Sequence, residues 1–388
     1  MVNQPKQKIH NNNNPSKRVV LVHSGDDYFS RLRNIIRHAK IEIHFQTYIF
    51  DNDSTGNEIV EALKEAASRN VKIYMLLDGY GSNSFSDKVV NELTLKGINF
   101  RFFSANIFYI GRRLHHKIVV ADGNIALIGG INNADKYRGT ATKEPWLDYA
   151  AQIESEVIAE QLHQLCEKIY FKKKRIKKEI INPVFHLVDG IPLRIIRNDW
   201  LKRKNEISKT YISIIQNAKK EVVIVGSYFL PGRRLSNALK NAAKRGVKIK
   251  IILSGISDLP IVMWATNYVY TSFLKQGIEL FEWKKSVLHG KLAVVDNKRT
   301  TIGSYNLNQL SSYGSIEMNV EINSVVFSKS LSVHLIGIIK QCDSITFETL
   351  TVRNGIFTRL KNWFAYRLIR IALIIVTYIP YKRLTKLF

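Results

Sequence analysis

Apolar and polar positions along the chain fall into two series of blocks with the same internal order. Each series begins with an apolar run typical of a buried strand, continues with an amphipathic helical stretch and returns to an apolar strand. The first series lies at Ile41–Phe50, Gly56–Asn70 and Val71–Asp78. The second lies at Glu221–Leu230, Leu235–Gly246 and Val247–Gly255. Strands that alternate with helices of this length predict βαβ units and a parallel or mixed sheet.

The similarity of the two series predicts a duplicated α/β fold. Both helical stretches end in Ala-Ala-x-Arg, one residue before a Val-Lys-Ile strand. The repeat distance far exceeds the ~20–50 residues of solenoid repeats and therefore indicates two homologous domains. The predicted parts are a disordered polar lead-in at 1–17, domains at 18–171 and 191–350, a linker at 172–190 with the basic run Lys172–Lys178, and a basic tail at 351–388.

A short polar motif recurs at the same place in both series. It reads His-x-Lys-x-x-x-x-Asp and is followed by Gly-Gly or Gly-Ser and, after one more residue, by Asn. Its members are His115, Lys117, Asp122, Gly130 and Asn132 in the first copy and His289, Lys291, Asp296, Ser304 and Asn306 in the second. Every member of the second copy lies at one constant distance along the chain from its counterpart. Two copies with identical spacing indicate a functional pair.

The spacing of the motif predicts that its side chains converge. Period-2 alternation places His115 and Lys117 on one face of a strand, and likewise His289 and Lys291. The Asp-Gly and Asp-Asn pairs that follow are hairpin signals, so the return strands bring the Asn residues beside the histidines. If the two halves face each other, two imidazoles meet among ammonium and carboxamide donors. Such a site suits a phosphodiester: one imidazole attacks phosphorus and the other protonates the leaving alkoxide.

The two motifs resemble those of the phospholipase D superfamily, and the chain is most similar to its cardiolipin synthase branch. The resemblance extends from Val19 to Thr346 and includes Pro-Trp-Leu-Asp at 145–148 and Gly-Gly-Ile-Asn-Asn-Ala-Asp-Lys-Tyr at 129–137. It implies two phospholipase D-like α/β domains, each with a mixed sheet flanked by helices, and one active site at their interface. It also implies a ping-pong reaction through a phosphohistidine that needs no metal or other cofactor.

The resemblance further implies roles for the motif residues. His115 would be the nucleophile and His289 the general acid and then base, while the sequence itself leaves the reverse assignment open. The residues expected to hold the phosphate and line the substrate site are Lys117, Lys291, Asn132, Asn306, Gly130 and Ser304. Asp122 and Asp296 complete the catalytic motif and are expected to support the turns rather than to react.

A carboxylate is expected to fix the second nitrogen of each imidazole. In the first half the resemblance points to Glu154. In the second half, spacing without gaps selects Glu317, whereas the family's Asn-x-Glu pattern selects Glu321. We favour Glu321, because Glu-Met-Asn-Val-Glu-Ile then forms the expected strand. The family's Asp and Arg after the second motif are replaced by Asn308 and Leu310, which bears on the acceptor rather than on the shared chemistry.

The net charge of the chain indicates an anionic partner. The chain has 58 Lys plus Arg against 32 Asp plus Glu, a formal net charge of +26. The tail from Arg353 to Phe388 carries only basic charges, and its apolar run Ile371–Ile379 is far shorter than the ~20 residues needed to span a bilayer. With its flanking aromatic residues, the tail predicts a helix in the headgroup region of an anionic membrane; the alternative is a helix docked on the core. Leu259–Ala265 likewise belongs either to the core or to a lipid-facing rim.

Cysteine and histidine usage gives no pattern of a disulfide scaffold or a metal site. Cys166 and Cys342 lie in different halves without a CxxC pair and are predicted to be buried apolar residues. His116 and His163 have no partner in the repeat and are predicted to be structural or solvent-facing.

These observations favour a phosphatidyltransferase that moves a phosphatidyl group from phosphatidylglycerol to an alcohol. We expect it at the cytoplasmic face of the cell membrane, as a peripheral or monotopic protein. Phospholipid hydrolysis shares every step up to the second attack and stays an alternative. A nuclease of the same superfamily suits the charge but gives no reason for an apolar tail, so nucleic acid is the disfavoured partner. The acceptor and the oligomeric state do not follow from the sequence.

Overall fold

A computed structural model describes residues 18–103, 112–172, 183–199, 202, 204–308, 311–312, 314–353 and 355–384, with side chains up to 372 in the last helix. The predicted lead-in at 1–17, residues 173–182 of the predicted linker, and Leu310 lie outside the described residues. The domain boundaries therefore stay predictions.

The first half of the chain alternates strands and helices in the predicted order. Its strands are β1 (Val19–His23), β2 (Glu42–Thr47), β3 (Lys72–Asp78), β4 (Asn99–Phe103), β5 (Lys117–Ala121), β6 (Ile125–Gly129) and β7 (Tyr149–Glu154). Its helices are α1 (Asp26–His38), α2 (Ser54–Ser68), α3 (Asp87–Leu95), α4 (Asp135–Arg138) and α5 (Glu156–Tyr170).

The second half repeats this order and adds a C-terminal extension. Its strands are β8 (His186–Val188), β9 (Ile191–Asp199), β10 (Lys204–Asn205), β11 (Glu221–Gly226), β12 (Lys248–Ser254), β13 (Glu279–Trp283), β14 (Lys291–Val295), β15 (Arg299–Gly303), β16 (Glu317–Asn323) and β17 (Asp343–Ile345). Its helices are α6 (Glu206–Gln216), α7 (Arg233–Lys244), α8 (Pro260–Leu274), α9 (Val325–Ile339), α10 (Phe347–Arg353) and α11 (Ile356–Leu384).

Each half forms one mixed sheet, and the two sheets have equivalent strand orders. The first runs β1-β7-β6-β5-β2-β3-β4, and the second runs β9-β16-β15-β14-β11-β12-β13 with β10 and β17 added at its edges. In both sheets the three strands of the βαβ units are parallel to one another, while the motif hairpins pair antiparallel. The predicted duplicated α/β fold is thus confirmed.

The motif hairpins turn where the sequence predicts. Asp122 and Asp296 occupy the two turns, and both take a left-handed φ of 52°. One detail of the prediction is wrong: β5 and β14 begin at Lys117 and Lys291, so each histidine precedes its strand instead of lying within it. The reason is that the chain just before each lysine forms hydrogen bonds with the opposite half.

A shared core joins the two halves. Ile118 of β5 and Val223 of β11 lie in one buried cluster that also contains residues of α5 and α9. Cys166 is buried in this cluster, as predicted, whereas Cys342 is only partly buried at its edge. Two parallel bridges connect the halves directly, Leu114 with Ile316 and Leu147 with Leu288. We call the contact between the two halves along these bridges the seam. His115 and His289 each directly follow a bridge residue and therefore lie at the seam.

The predicted tail forms helix α11, which packs on α8. Asn362 and Ala365 are buried, and Ala365 lies in a cluster with Ala265 and the partly buried Trp264. Ile261 remains 38% exposed, so Leu259–Ala265 is neither wholly core nor wholly rim. Within the part of the chain that the structure describes, no helix combines the length and apolarity required to cross a membrane.

Candidate active site at the seam

The two histidines are positioned by backbone hydrogen bonds to the opposite half. The backbone N of His115 donates to the carbonyl of Ile316 at 3.0 Å, and the backbone N of His289 donates to the carbonyl of Leu147 at 2.8 Å. Each of these carbonyls belongs to the residue that precedes an acidic residue. The two acidic residues are Glu317, the first residue of β16, and Asp148, directly before β7. The same exchange thus occurs twice, and it brings each imidazole next to a carboxylate from the other half.

His115 is held by Glu317. Its Nδ1 lies 2.9 Å from the carboxylate of Glu317, which is fully buried at the first position of β16. The hydroxyl of Ser304 donates to the same carboxylate, and the ring of Tyr48 lies 4.8 Å from the imidazole ring, centroid to centroid. With Nδ1 donating to the carboxylate, Nε2 keeps a lone pair for attack.

His289 is held by Asp148. Its Nδ1 lies 2.6 Å from Oδ2 of Asp148, which is also fully buried. Nζ of Lys291 lies 2.8 Å from the same Nδ1, and the hydroxyl of Tyr137 lies 3.4 Å from it. At His115 the described residues place no cation against Nδ1, so the two imidazoles differ in their electrostatic surroundings.

The structure corrects the predicted carboxylates. Glu154 is exposed at the far end of β7, where Nε2 of Gln152 donates to it at 3.0 Å. Glu321 lies four positions beyond Glu317 on β16 and forms ion pairs with Arg194 and Arg299. The prediction of Glu154 and Glu321 is wrong because the carboxylate has to lie at the end of its strand that meets the seam. Both glutamates lie farther along their strands.

Asp148 is the residue that sequence reasoning missed in the first half. The signal was present, because Asp148 is the acidic residue of Pro-Trp-Leu-Asp, directly before β7. Glu317 was present as the ungapped choice in the second half. Asp148 and Glu317 each follow a residue that bridges to the opposite half. They therefore occupy equivalent positions in the fold and take the role that was expected of Glu154 and Glu321.

The two motif lysines are almost fully buried. Nζ of Lys117 donates to the carbonyl of His115, and Nζ of Lys291 donates to that of His289. Burial is the main cause that lowers the pKa of Lys117 to about 7 and that of Lys291 to about 8, against partial compensation by the neighbouring carboxylates. A bound phosphate would restore the ammonium forms, because an anion in contact favours the charged state.

Burial also sets the protonation of the acid and the imidazoles. It raises the pKa of Asp148 to about 6, although Lys291 acts in the opposite direction. It lowers the pKa of His115, which Glu317 partly restores. The pKa of His289 is lowered further, first by burial and then by Lys291 and Lys117. Both imidazoles are therefore neutral in the empty site at pH 7, and His289 is the more acidic of the two.

The residues after each motif support the carboxylates rather than an open phosphate site. A Cβ at Gly130 would lie 2.4 Å from Oδ1 of Asp148, so glycine is what admits this carboxylate. The Ser304 hydroxyl likewise contacts Glu317. Asn132 accepts from the backbone N of Ile49 at 3.0 Å and donates to the Tyr137 hydroxyl at 2.7 Å. Gly130 and Ser304 thus support the two acids, and the substrate-lining role predicted for them stays a prediction.

Asn306 and the two motif aspartates also have defined partners. Oδ1 of Asn306 accepts from the hydroxyl of Ser227 at 2.7 Å, which orients its amide group. Asp122 accepts three backbone N–H groups of residues 40–42, and Asp296 accepts three of residues 219–221. Both aspartates therefore fasten the hairpin turns to the neighbouring strands and take no direct part in the site, as the turn interpretation expects.

Two further histidines lie outside the pair. His116 is buried with Nε2 2.9 Å from Oε1 of Gln46, and burial lowers its pKa to about 3. His163 pairs through Nδ1 with Glu42 at 2.7 Å. Neither contacts His115 or His289 through its side chain among the described residues, in agreement with a structural interpretation.

Comparisons with known proteins place the chain in one family. The family model described as cardiolipin synthase, PLD-like domain, matches residues 32–170 and again residues 211–341. Cardiolipin synthase B of Escherichia coli (strain K12) is 32% identical over 381 residues, which cover 94% of this chain and 90% of the relative. Cardiolipin synthase of Clostridium perfringens (strain 13 / Type A) is 30% identical over 86% of this chain and 73% of its own length.

The crystal structure of phosphatidylserine synthase from Haemophilus influenzae Rd KW20 has the same fold. It aligns with a TM-score of 0.74 over 94% of this chain and 96% of the solved chain, at 14% sequence identity. The family match occurs once in each half, as the duplication requires. The alignments with cardiolipin synthase B and with this solved structure each cover 94% of the chain and therefore include both halves.

Proposed function

Because the chain belongs to the cardiolipin synthase family of phospholipase D-like proteins, we propose that it is a phosphatidyltransferase that uses phosphatidylglycerol. It moves the phosphatidyl group of one phosphatidylglycerol to an alcohol, the headgroup glycerol of a second one. The observation that carries the proposal is the pair of imidazoles at the seam, each held through Nδ1 by a buried carboxylate of the opposite half.

In the first step, Nε2 of His115 attacks phosphorus and displaces glycerol. The N–P bond forms as the P–O bond to glycerol breaks, and His289 gives a proton to the leaving oxygen. His289 acquires this proton when the anionic diester binds, because the added negative charge favours the imidazolium. Lys117 and Lys291 balance the charge that develops on the nonbridging oxygens.

In the second step, neutral His289 removes a proton from the incoming hydroxyl. The alkoxide attacks phosphorus, the bond to His115 breaks, and both histidines return to their starting state. Proton transfers to and from His289 cancel over the cycle. The difference between the imidazoles supports this assignment. Burial lowers the pKa of both, but Glu317 partly opposes this at His115, whereas Lys291 adds to it at His289 and makes its imidazolium the stronger acid.

Attachment to the membrane is part of the proposal, through the face of the protein that carries α11. One side of this helix packs on α8, while the other exposes large apolar residues, among them Phe357 at 84% and Phe364 at 62%. The segment before α8 also exposes Leu259, next to Asp258, whose carboxylate accepts from the Tyr228 hydroxyl. Tyr228 flanks His289, so the exposed Leu259 lies near the reacting groups. We place the protein peripherally at the cytoplasmic face.

Incubation of the purified protein with phosphatidylglycerol vesicles tests the proposal, with products identified by lipid mass spectrometry. We expect cardiolipin and free glycerol from the intact protein, and neither from His115→Ala or His289→Ala. Phosphatidic acid without cardiolipin would show hydrolysis in place of transfer. Absence of any lipid turnover by the intact protein would contradict a lipid substrate.

A further inference from the structure

A groove outside the seam is lined by basic side chains from three helices. It lies between α7, α8 and α11, with α10 at one end, and encloses about 1130 Å³. Its basic lining residues are Arg233, Lys240, Lys275, Arg359, Arg367 and Arg370. Among the residues that the structure describes, no acidic residue and no motif residue lines it.

The charges in this groove are not neutralised within the described part of the chain. Nζ of Lys240 donates to the hydroxyl of Ser272 at 2.7 Å, and Nη1 of Arg370 donates to the hydroxyl of Tyr366 at 2.9 Å. Both partners are neutral, and no salt bridge joins any of the six basic residues to a described carboxylate. Like charges gathered in a concave surface repel one another and create a strong positive potential, which an anion would relieve.

The exposed face of α11 shows which kind of anion fits. Large apolar side chains recur along it three or four residues apart, at Phe357, Leu360, Phe364, Leu368 and Ile371. This spacing places them on one stripe of the helix. An exposed apolar stripe beside a row of cations matches the boundary between lipid headgroups and acyl chains. Free phosphate or a nucleic acid backbone would explain the cations but not the stripe.

We propose that the groove is a second, non-catalytic site for the phosphate of an anionic phospholipid, occupied while the stripe of α11 rests in the membrane. The inference rests on the proposed function in one respect, that the substrate membrane is anionic. Helix α8 connects the two sites: its later residues line the groove, while Val262 and Thr266 near its start line a small cavity with Tyr228. Lipid held in the groove would keep the seam against the membrane surface.

The test removes two basic residues of α7 that lie outside the tail. The double variant Arg233→Gln with Lys240→Gln removes both basic side chains that α7 contributes to the groove. Arg234→Gln with Lys244→Gln removes the same charge from the same helix at exposed positions that do not line it. All proteins carry His115→Ala so that lipid is not consumed, and circular dichroism checks that each variant is folded.

Binding is measured by sedimentation with vesicles of phosphatidylglycerol and phosphatidylcholine over a range of compositions. For the groove variant we expect roughly tenfold or greater loss of affinity for phosphatidylglycerol vesicles, the size expected for two basic residues removed from an anionic surface. The control variant should lose less than threefold. Equal losses in the two variants, or no loss in the groove variant, would overturn the proposal.

Two further arms identify the source of the phosphate. Inorganic phosphate at constant ionic strength should not displace the protein from vesicles, and a short DNA duplex should bind the groove and control variants equally. Displacement by phosphate, or selective loss of DNA binding in the groove variant, would reassign the site. Vesicle binding is measured without turnover, so a failure of the transferase assay would leave this result standing.

Discussion

The surroundings of His115 and His289 are built on the same plan but filled with different residues. At His115 the acid is Glu317 and the hydroxyl of Ser304 donates to it. At His289 the acid is Asp148, and Gly130 occupies the position equivalent to Ser304. The acid and the residue after the motif therefore fit each other within each half of the chain. The longer side chain of Glu317 accompanies Ser304, and the shorter side chain of Asp148 accompanies Gly130.

A second difference separates the two imidazoles in acidity. Nζ of Lys291 lies 2.8 Å from Nδ1 of His289, whereas Nζ of Lys117 donates to the backbone carbonyl of His115. Duplication supplied two equal frameworks, and these contacts make their histidines unequal. A duplicated fold can therefore supply both a nucleophile and a separate general acid–base group when only a few side chains differ between its halves.

Removal of either histidine should have the largest effect. We expect His115→Ala and His289→Ala each to reduce transfer from phosphatidylglycerol by at least ~10³-fold, from loss of the nucleophile or of general acid–base catalysis. A phosphatidyl ester of p-nitrophenol separates the two roles, because its leaving group needs no proton. With this substrate His289→Ala should release about one equivalent of nitrophenolate, and His115→Ala none. A burst from His115→Ala instead would reverse the roles.

Neutralising the two acids should have the next largest effect. Asp148→Asn and Glu317→Gln should each lower kcat by roughly 10²–10⁴-fold, since an imidazole without its carboxylate loses its orientation and tautomer. Glu154→Gln is the matched control in the first half and should retain activity. Glu321→Gln should destabilise the fold by roughly 1–3 kcal/mol, since Arg194 and Arg299 lose their partner, without a comparable fall in kcat. Steady-state kinetics and thermal unfolding distinguish these outcomes.

Much of the framework could be predicted from the sequence, because it depends on local spacing. The βαβ order, the hairpin turns and the two His-Lys pairs follow from short-range patterns. The carboxylates could not be assigned in the same way, since each acts on a histidine of the other half. The second half also differs in acid type and in the shorter loop between Ser304 and Glu317. The basic groove was missed because its residues are scattered over separate helices.

Substitution of Gly130 tests the matching of acid and neighbour. Gly130→Ser should lower activity by more than tenfold, because its Cβ would overlap the Asp148 carboxylate. Ser304→Ala removes one hydrogen bond to Glu317 and should cost only about 1 kcal/mol of stability. The double variant Gly130→Ser with Asp148→Glu copies the second half and should recover part of the activity. If the double variant is no better than Gly130→Ser, the matching argument is wrong.

The smallest expected effect concerns stability rather than activity, and it comes from the two buried lysines. A Lys whose pKa is lowered on folding destabilises the native state below the folded pKa, and this cost falls as pH rises toward the unfolded pKa near 10.5. Lys117→Met should therefore raise Tm at pH 6–7, and Lys291→Met should raise it less, since their pKa values are about 7 and about 8. Both gains should shrink above pH 9. Thermal unfolding from pH 6 to 10 checks the order; a larger gain for Lys291→Met would contradict it.

The most direct test of the unequal histidines is to locate the covalent intermediate. His289→Ala is incubated with the p-nitrophenyl phosphatidyl ester and quenched in cold denaturant at pH ~8, where the acid-labile N–P bond and the acyl esters both survive, and the digest is mapped by mass spectrometry. We expect a phosphatidyl adduct on the peptide that contains His115. In the matched experiment with His115→Ala, an adduct on His289 would contradict this expectation.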